Sequence, residues 1–261
     1  MANNYIRTFE YPHGGYFPAS PIHNRILDGD FVISFWTRPA NSFQISQAFG
    51  YMQEAAGFYY GFTAGIEMGH ISFAICNEVD EFYLESIGGG SQHALPYAQW
   101  NHICIQGSFN GVTLTIKLYL NNVLADTMSS AYTIFSMGTP RSYFAGDNFE
   151  ISWHDEMCML VGPNAINPAL PAELYAAGNG GIKITPDWMT AKNLDGWSCN
   201  FDSTEGQPVF QYKNGETEGS GFGVFGGFEY AEGGVAIEVP AICTAPFLRP
   251  FGSPPADSWG W

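Results

Sequence analysis

The sequence predicts an all-β protein, and three observations carry that prediction. The chain is rich in apolar and aromatic residues and poor in charge, at 46% and 16% against 13%, with 31 glycines. Such a composition suits short strands joined by tight turns better than charge-laced helices. The stretch WNHICIQGSFNGVTLTIKLYLNNVLADTM, Trp100 to Met128, alternates apolar and polar residues between two turn signals, Asn110-Gly111 and Asn121-Asn122. Asn and Gly accept the positive φ angles of short hairpin turns, so this stretch reads as a three-stranded meander. Further strand-like runs, FVISFW and FYYGFTAGIEMGHISFAIC, precede it.

Taken in order, Phe31 to Trp36 carries large residues on both faces and ends at Arg38-Pro39, while Phe58 to Cys76 supplies two strands around Met68-Gly69. Gly88 to Gly90 breaks the pattern. In the middle strand of the meander, Val112, Leu114, Ile116, Leu118 and Leu120 share one face and Thr113, Thr115, Lys117 and Tyr119 the other, so one face meets a core and the other solvent or a partner. The best helix candidate is PALPAELYAAG from Pro168, with Pro171 in the first turn and Gly178 at the C-terminal cap, about two turns long. Near residue 182 the character changes. Residues 183–243 are glycine-rich and aromatic and read as a β extension, with GFGVFG (Gly221 to Gly226) as a flexible or tightly turning hairpin. Residues 244–261, with Pro246, Pro250, Pro254 and Pro255, read as an extended arm.

Charge narrows the function. Nine basic residues against 25 acidic ones give a formal charge of -16, without a Lys or Arg cluster. Nucleic-acid affinity comes chiefly from cations that replace condensed counterions, so nucleic-acid binding is not expected. MANNYIRTFEYPHGG lacks a basic region followed by an apolar run, and no stretch approaches a membrane span, so membrane insertion is not expected and synthesis in the cytoplasm without export is. The five cysteines, Cys76, Cys104, Cys158, Cys199 and Cys243, show no metal spacing and read as buried free thiols.

The order YIRTFEYPHGGYFPASP, DFVISFWTRP, WNHICIQGSFNGVTLTIKLYLNNVLADT and DEMCMLVGPNAINPALPAELYAAGNGG resembles the laminin G-like, or concanavalin A-like, family of jelly rolls. The likeness covers residues 1–182. It implies an antiparallel β-sandwich of two sheets, with ligand sites on a concave face or a loop rim. The fold hosts lectins, adhesion modules, hydrolases and virion parts, so it implies no single function.

FEISWHDEM, Phe149 to Met157, holds Glu150, Asp155, Glu156 and His154. A regular strand puts Glu150 and Glu156 ~20 Å apart, beyond the ~5.5 to 9.5 Å that glycoside hydrolysis uses. The family-sixteen glycoside hydrolases, which share this resemblance, carry E-x-D-x-E or E-x-D-x-x-E. Here Ser152 stands for the middle Asp and Asp155 for the second Glu. The stretch therefore reads as the outward face of a structural strand, and no catalytic residue is expected.

GFGVFG matches a dinucleotide fingerprint, but Glu216, Glu218, Glu229 and Glu232 would repel a pyrophosphate. No cofactor is expected. Calcium enters only through Asp28, Asp30 and Asp147, short of the ~6 to 8 oxygens it takes, and the six dispersed histidines form no metal site. Trp36, Trp100 and Trp153 read as core anchors, and Tyr51, Tyr59, Tyr60 and Tyr83 as the candidates for stacking on a glycan. Phe222, Phe225, Phe228, Phe247, Phe251, Trp259 and Trp261 read as an assembly interface. Laminin G-like modules made without signal peptides are similar to those of bacteriophage capsid decorations, tails and fibres. The resemblance thus implies a nonenzymatic virion surface or assembly protein, with other virion proteins, copies of itself and host glycans as partners. A stand-alone lectin or adhesin is the first alternative. A glycan hydrolase using Glu150 with Asp155 or Glu156 is the second.

Overall fold

The computed structural model describes residues 4–8, 14–16, 29–39, 46–55, 58–67, 69–76, 81–84, 94–132, 143–144, 152–178, 182–200, 209–212, 223–225 and 229–232, with side chains in 29–39, 61–66, 69–75, 94–132, 154–177 and 182–199. In chain order its strands are β1 (Asn4–Thr8), β2 (Gly14–Tyr16), β3 (Phe31–Pro39), β4 (Ser46–Ala55), β5 (Phe58–Glu67), β6 (His70–Cys76), β7 (Glu81–Leu84) and β8 (Asn101–Phe109). There follow β9 (Thr113–Leu120), β10 (Val123–Ala131), β11 (Tyr143–Phe144), β12 (Ser152–Val161), β13 (Asp195–Asn200), β14 (Val209–Tyr212), β15 (Gly223–Phe225) and β16 (Glu229–Glu232). Two helices, α1 (Leu170–Gly178) and α2 (Pro186–Ala191), lie between β12 and β13.

The strands form two antiparallel sheets. The nine-stranded sheet runs β10-β9-β8-β3-β12-β1-β16, with β13 beside β12 and β14 beside β13, and the seven-stranded sheet runs β15-β2-β11-β4-β5-β6-β7. The chain changes sheet between β1 and β2, β2 and β3, β3 and β4, β7 and β8, β10 and β11, β11 and β12, β14 and β15, and β15 and β16. Repeated crossing of this kind makes a jelly-roll sandwich.

Alternation explains why the sheets stack. Phe31, Ile33 and Phe35 of β3, Ile103 and Ile105 of β8, and Leu114, Ile116 and Leu118 of β9 meet Phe62, Ala64, Ile66, Ile71, Phe73 and Ile75 of the other sheet in one buried cluster. The Phe31 and Phe73 rings bridge the sheets at 6.0 Å. Burial of each large side chain contributes roughly 1.5–3 kcal/mol. Gly107 makes room for Phe31: a Cβ there would lie 2.1 Å from the ring.

The meander follows its sequence pattern except at Val112, which lies in the turn before β9 and is 69% exposed rather than on the core face. Asn121 and Asn122 take φ of 48° and 64° between β9 and β10, and the Asn110 side chain accepts from the amides of Val112 and Thr113 at 3.1 and 2.9 Å. Helix α1 also falls where Pro171 and Gly178 placed it. Helix α2 was not foreseen. Its signal is Thr185-Pro186, where the Thr185 hydroxyl accepts from the Trp188 amide at 3.2 Å and Pro occupies the first turn.

Both helices cover the back of the nine-stranded sheet. Val32, Cys104, Cys158 and Leu160 point away from the sandwich core and pack with Leu170, Leu174, Ala177, Met189 and Leu194. Gln106 donates to the carbonyls of Ala165 and Asn167 at 2.7 and 3.0 Å, and Ser198 donates to Ile184 at 2.7 Å, fixing the loops that enter each helix. Lys192 pairs with Glu173 at 2.6 Å, linking the two.

Glycine-rich GFGVFG departs from expectation. It does not fold back as a local hairpin: Gly223–Phe225 joins β2 in one sheet, while Glu229–Glu232 joins β1 in the other. The physical reason is that β1 and β2 already lie in different sheets, and each accepts one late strand.

Candidate functional site

The acidic stretch lies in the middle of the nine-stranded sheet. On one side β12 pairs with β3 along its length, His154 opposite Thr37 and Asp155 opposite Trp36. On the other, Ser152, Trp153 and His154 pair with β1, and Met157 to Val161 pair with β13. The register shifts between Asp155 and Cys158, where Glu156 takes φ of 46°. One extra residue there makes a β-bulge, and the Asp155 carboxylate accepts from the Glu156 amide at 2.9 Å.

The outward face expected of this stretch is therefore not found. His154 and Asp155 are both 0% exposed. The bulge overturns simple alternation: it sets His154 opposite Thr37, on the face of β3 that sends Phe31, Ile33 and Phe35 into the core, and Asp155 opposite Trp36, on the face that sends Val32 toward the helices. Glu150, the other candidate carboxylate, lies outside the described residues, as does the Trp153 side chain.

Against the back of the sheet, Ser34 and His102 share a hydrogen bond of 2.8 Å between Oγ and Nε2. Trp36 and Tyr175 stack about them, with Trp36 5.2 Å from both the His102 and Tyr175 rings. A serine beside a histidine is the pairing of a nucleophile and its base, yet Ser34 is 2% and His102 0% exposed, and α1 lies over them. Burial holds His102 and His154 neutral by lowering each from the usual 6.5 to about 3. Burial likewise raises the Cys104, Cys158 and Cys199 thiols, Cys158 further through the charge of Glu156, which removes thiolate reactivity. These three cysteines are buried thiols outside any disulfide, as read from the sequence.

The remaining sequence candidates separate. Tyr51 pairs opposite Phe62, Tyr60 opposite Gln53 and Tyr59 opposite Glu54 in β4 and β5, and Tyr83 pairs opposite Ala74; their side chains lie outside the described residues. So do those of the aromatic interface set: Phe225 is placed in β15 by its backbone, and Phe222, Phe228, Phe247, Phe251, Trp259 and Trp261 fall outside. Trp36 is buried, as expected of a core anchor, and Trp100 half-buried. Among the described residues no three His, Cys, Asp or Glu side chains gather into a metal-binding group, and no helix is long and apolar enough to cross a membrane.

No family model matches the chain, and no curated protein matches it. Solved structures do align with it. The binding domain of botulinum neurotoxin DC, in complex with SialylT, aligns at 20% identity and a TM-score of 0.38 over 58% of this chain and 37% of that one. Domain 4 of the arabinanase AbnA from Geobacillus stearothermophilus, in complex with arabinotriose, aligns at 14% and 0.38 over 62% and 72%. The SAP-like pentraxin of Limulus polyphemus aligns at 11% and 0.40 over 60% and 76%. The chain thus spans well under half of the neurotoxin domain. With TM-scores this low, the jelly-roll assignment rests on the strand pairings above.

Proposed function

We propose that the protein is a nonenzymatic, lectin-like module that binds glycans and is displayed on a larger assembly, a virion surface or one of its tail or fibre parts. The observation that carries the nonenzymatic half is the fate of Asp155. Its carboxylate is fully buried and bonded to the backbone of the bulge, so it supports sheet geometry where a hydrolase would hold it open to a sugar. The display half rests on the aromatic, proline-rich sequence of residues 244–261.

The test has two arms. Full-length protein is applied to a glycan array and to a panel of β-glucans; retention without hydrolysis supports the reading, and products that vanish in Glu150→Gln sink it. Light scattering then compares the full chain with one lacking Thr244 to Trp261. Association that needs these residues supports display on an assembly, and monomers in both samples count against it.

A further inference from the structure

At one end of the sandwich, residues 94–100 carry the chain from the seven-stranded sheet to β8. Ala94 bridges to His70 and Leu95 is buried in the core. The rest of the loop is held at close intervals. The Ala98 amide donates to Pro39 at 2.8 Å, the Arg38 side chain donates to the Ala98 carbonyl at 3.2 Å, and Asn101 Nδ2 donates to the carbonyls of Pro96 and Gln99, both at 2.9 Å. These bonds keep Ala98 at φ of 57°, a conformation that costs a non-glycine residue roughly 1–2 kcal/mol. On the crest of this fixed loop Tyr97 stands 60% exposed.

The β9–β10 turn lies beside it. Asn121 Nδ2 reaches Asn101 Oδ1 at 3.4 Å, so the side chain that holds the loop is also tied to the turn. Asn122 is exposed, and Val123 and Leu124 beyond it are 67% and 51% exposed. Two strand spacings, about 10 Å, separate β8 from β10, which sets the turn within the span of a short oligosaccharide on Tyr97.

We propose that this rim, with Tyr97 as stacking platform and Gln99 and Asn122 as hydrogen-bonding amides, binds a neutral oligosaccharide. The inference rests on the glycan-binding reading above and gives it a location apart from the four tyrosines on strands β4, β5 and β7. Three features favour this ligand. An aromatic ring offers its face to the C–H groups of a sugar, and amides donate and accept for hydroxyls. Residues 94–101 and 119–125 include no Asp, Glu, Lys or Arg in a chain of net charge -16, and Arg38, the cation that reaches the loop, is engaged by the Ala98 carbonyl. A platform locked in place before binding loses little conformational entropy on contact.

The test uses the full chain on an array that holds neutral, sialylated and sulfated glycans, followed by titration calorimetry with the strongest neutral ligand. Tyr97→Ala and Asn122→Ala should each weaken binding, Tyr97→Ala by about tenfold or more, with melting temperatures unchanged, while Tyr97→Phe keeps most of the affinity. Array binding that survives both alanine variants overturns the rim site but leaves the glycan-binding reading standing. Retention of acidic glycans alone overturns the neutral ligand. Retention of no glycan overturns both readings. A shift in molar mass of Tyr97→Ala with glycan affinity intact marks the rim as a protein interface and also overturns the proposal.

Discussion

Glu156 and Ala98 share a backbone conformation that few side chains adopt, at φ of 46° and 57°, yet they sit in opposite surroundings. Glu156 lies at a bulge flanked by strands on both sides and next to fully buried His154 and Asp155. Ala98 lies on an exposed loop beside Tyr97. In the first case the unusual angle lets β12 keep pairing with β3 while it passes from β1 to β13 as its other neighbour. In the second, hydrogen bonds from Arg38, Asn101 and Ala98 itself hold an angle that serves presentation of a side chain. Strained backbone identifies neither role alone; burial tells them apart.

The contrast can be broken most strongly with acid. His102 and His154 are held near 3 when folded against an ordinary 6.5. Below pH 6.5 the unfolded chain therefore takes up protons that the folded one refuses, so stability is full above that pH and declines as pH falls toward 3. Two such groups amount to roughly 4 kcal/mol at pH 5. Few carboxylates titrate between pH 7 and 5, so relief of acidic self-repulsion does not mask the loss. Urea midpoints that stay level between pH 7.5 and 5 would show that these rings are not buried as neutral groups.

Next in size is Asp155→Ala, which removes the acceptor of the Glu156 amide and should cost about 3 kcal/mol. A drop below 1 kcal/mol in chemical denaturation would mean the bulge holds itself without the carboxylate. Smallest is Ala98→Gly. Release of the left-handed penalty, less the entropy a glycine adds to the unfolded chain, leaves a gain of about 0.5 kcal/mol; a lower melting temperature would show that the loop carries no strain.

Different physics decided which features could be read in advance. The meander was legible because Asn110-Gly111 and Asn121-Asn122 state their turns locally and a period of two states the core face. Helix α1 was legible from Pro171 and Gly178. His154 was misread because the bulge shifts parity: it stands opposite Thr37, on the face of β3 that carries Phe31, Ile33 and Phe35, while Asp155 stands opposite Trp36 on the face that carries Val32. The bulge is a matter of register against β3, invisible in β12 alone. Tyr97 was passed over because one tyrosine in a proline-containing loop has no periodicity to mark it; the hydrogen bonds that distinguish it come from β3 and β8.

Strand β1 pairs on one side with β12 and on the other with β16, Asn4 opposite Glu232. A pairing that spans nearly the whole chain is among the slowest to form, because the loop it closes is long. During synthesis β1 must therefore wait with one edge open until residue 232 has left the ribosome. Any chain that stops short of that point exposes a strand ready to pair with its neighbours.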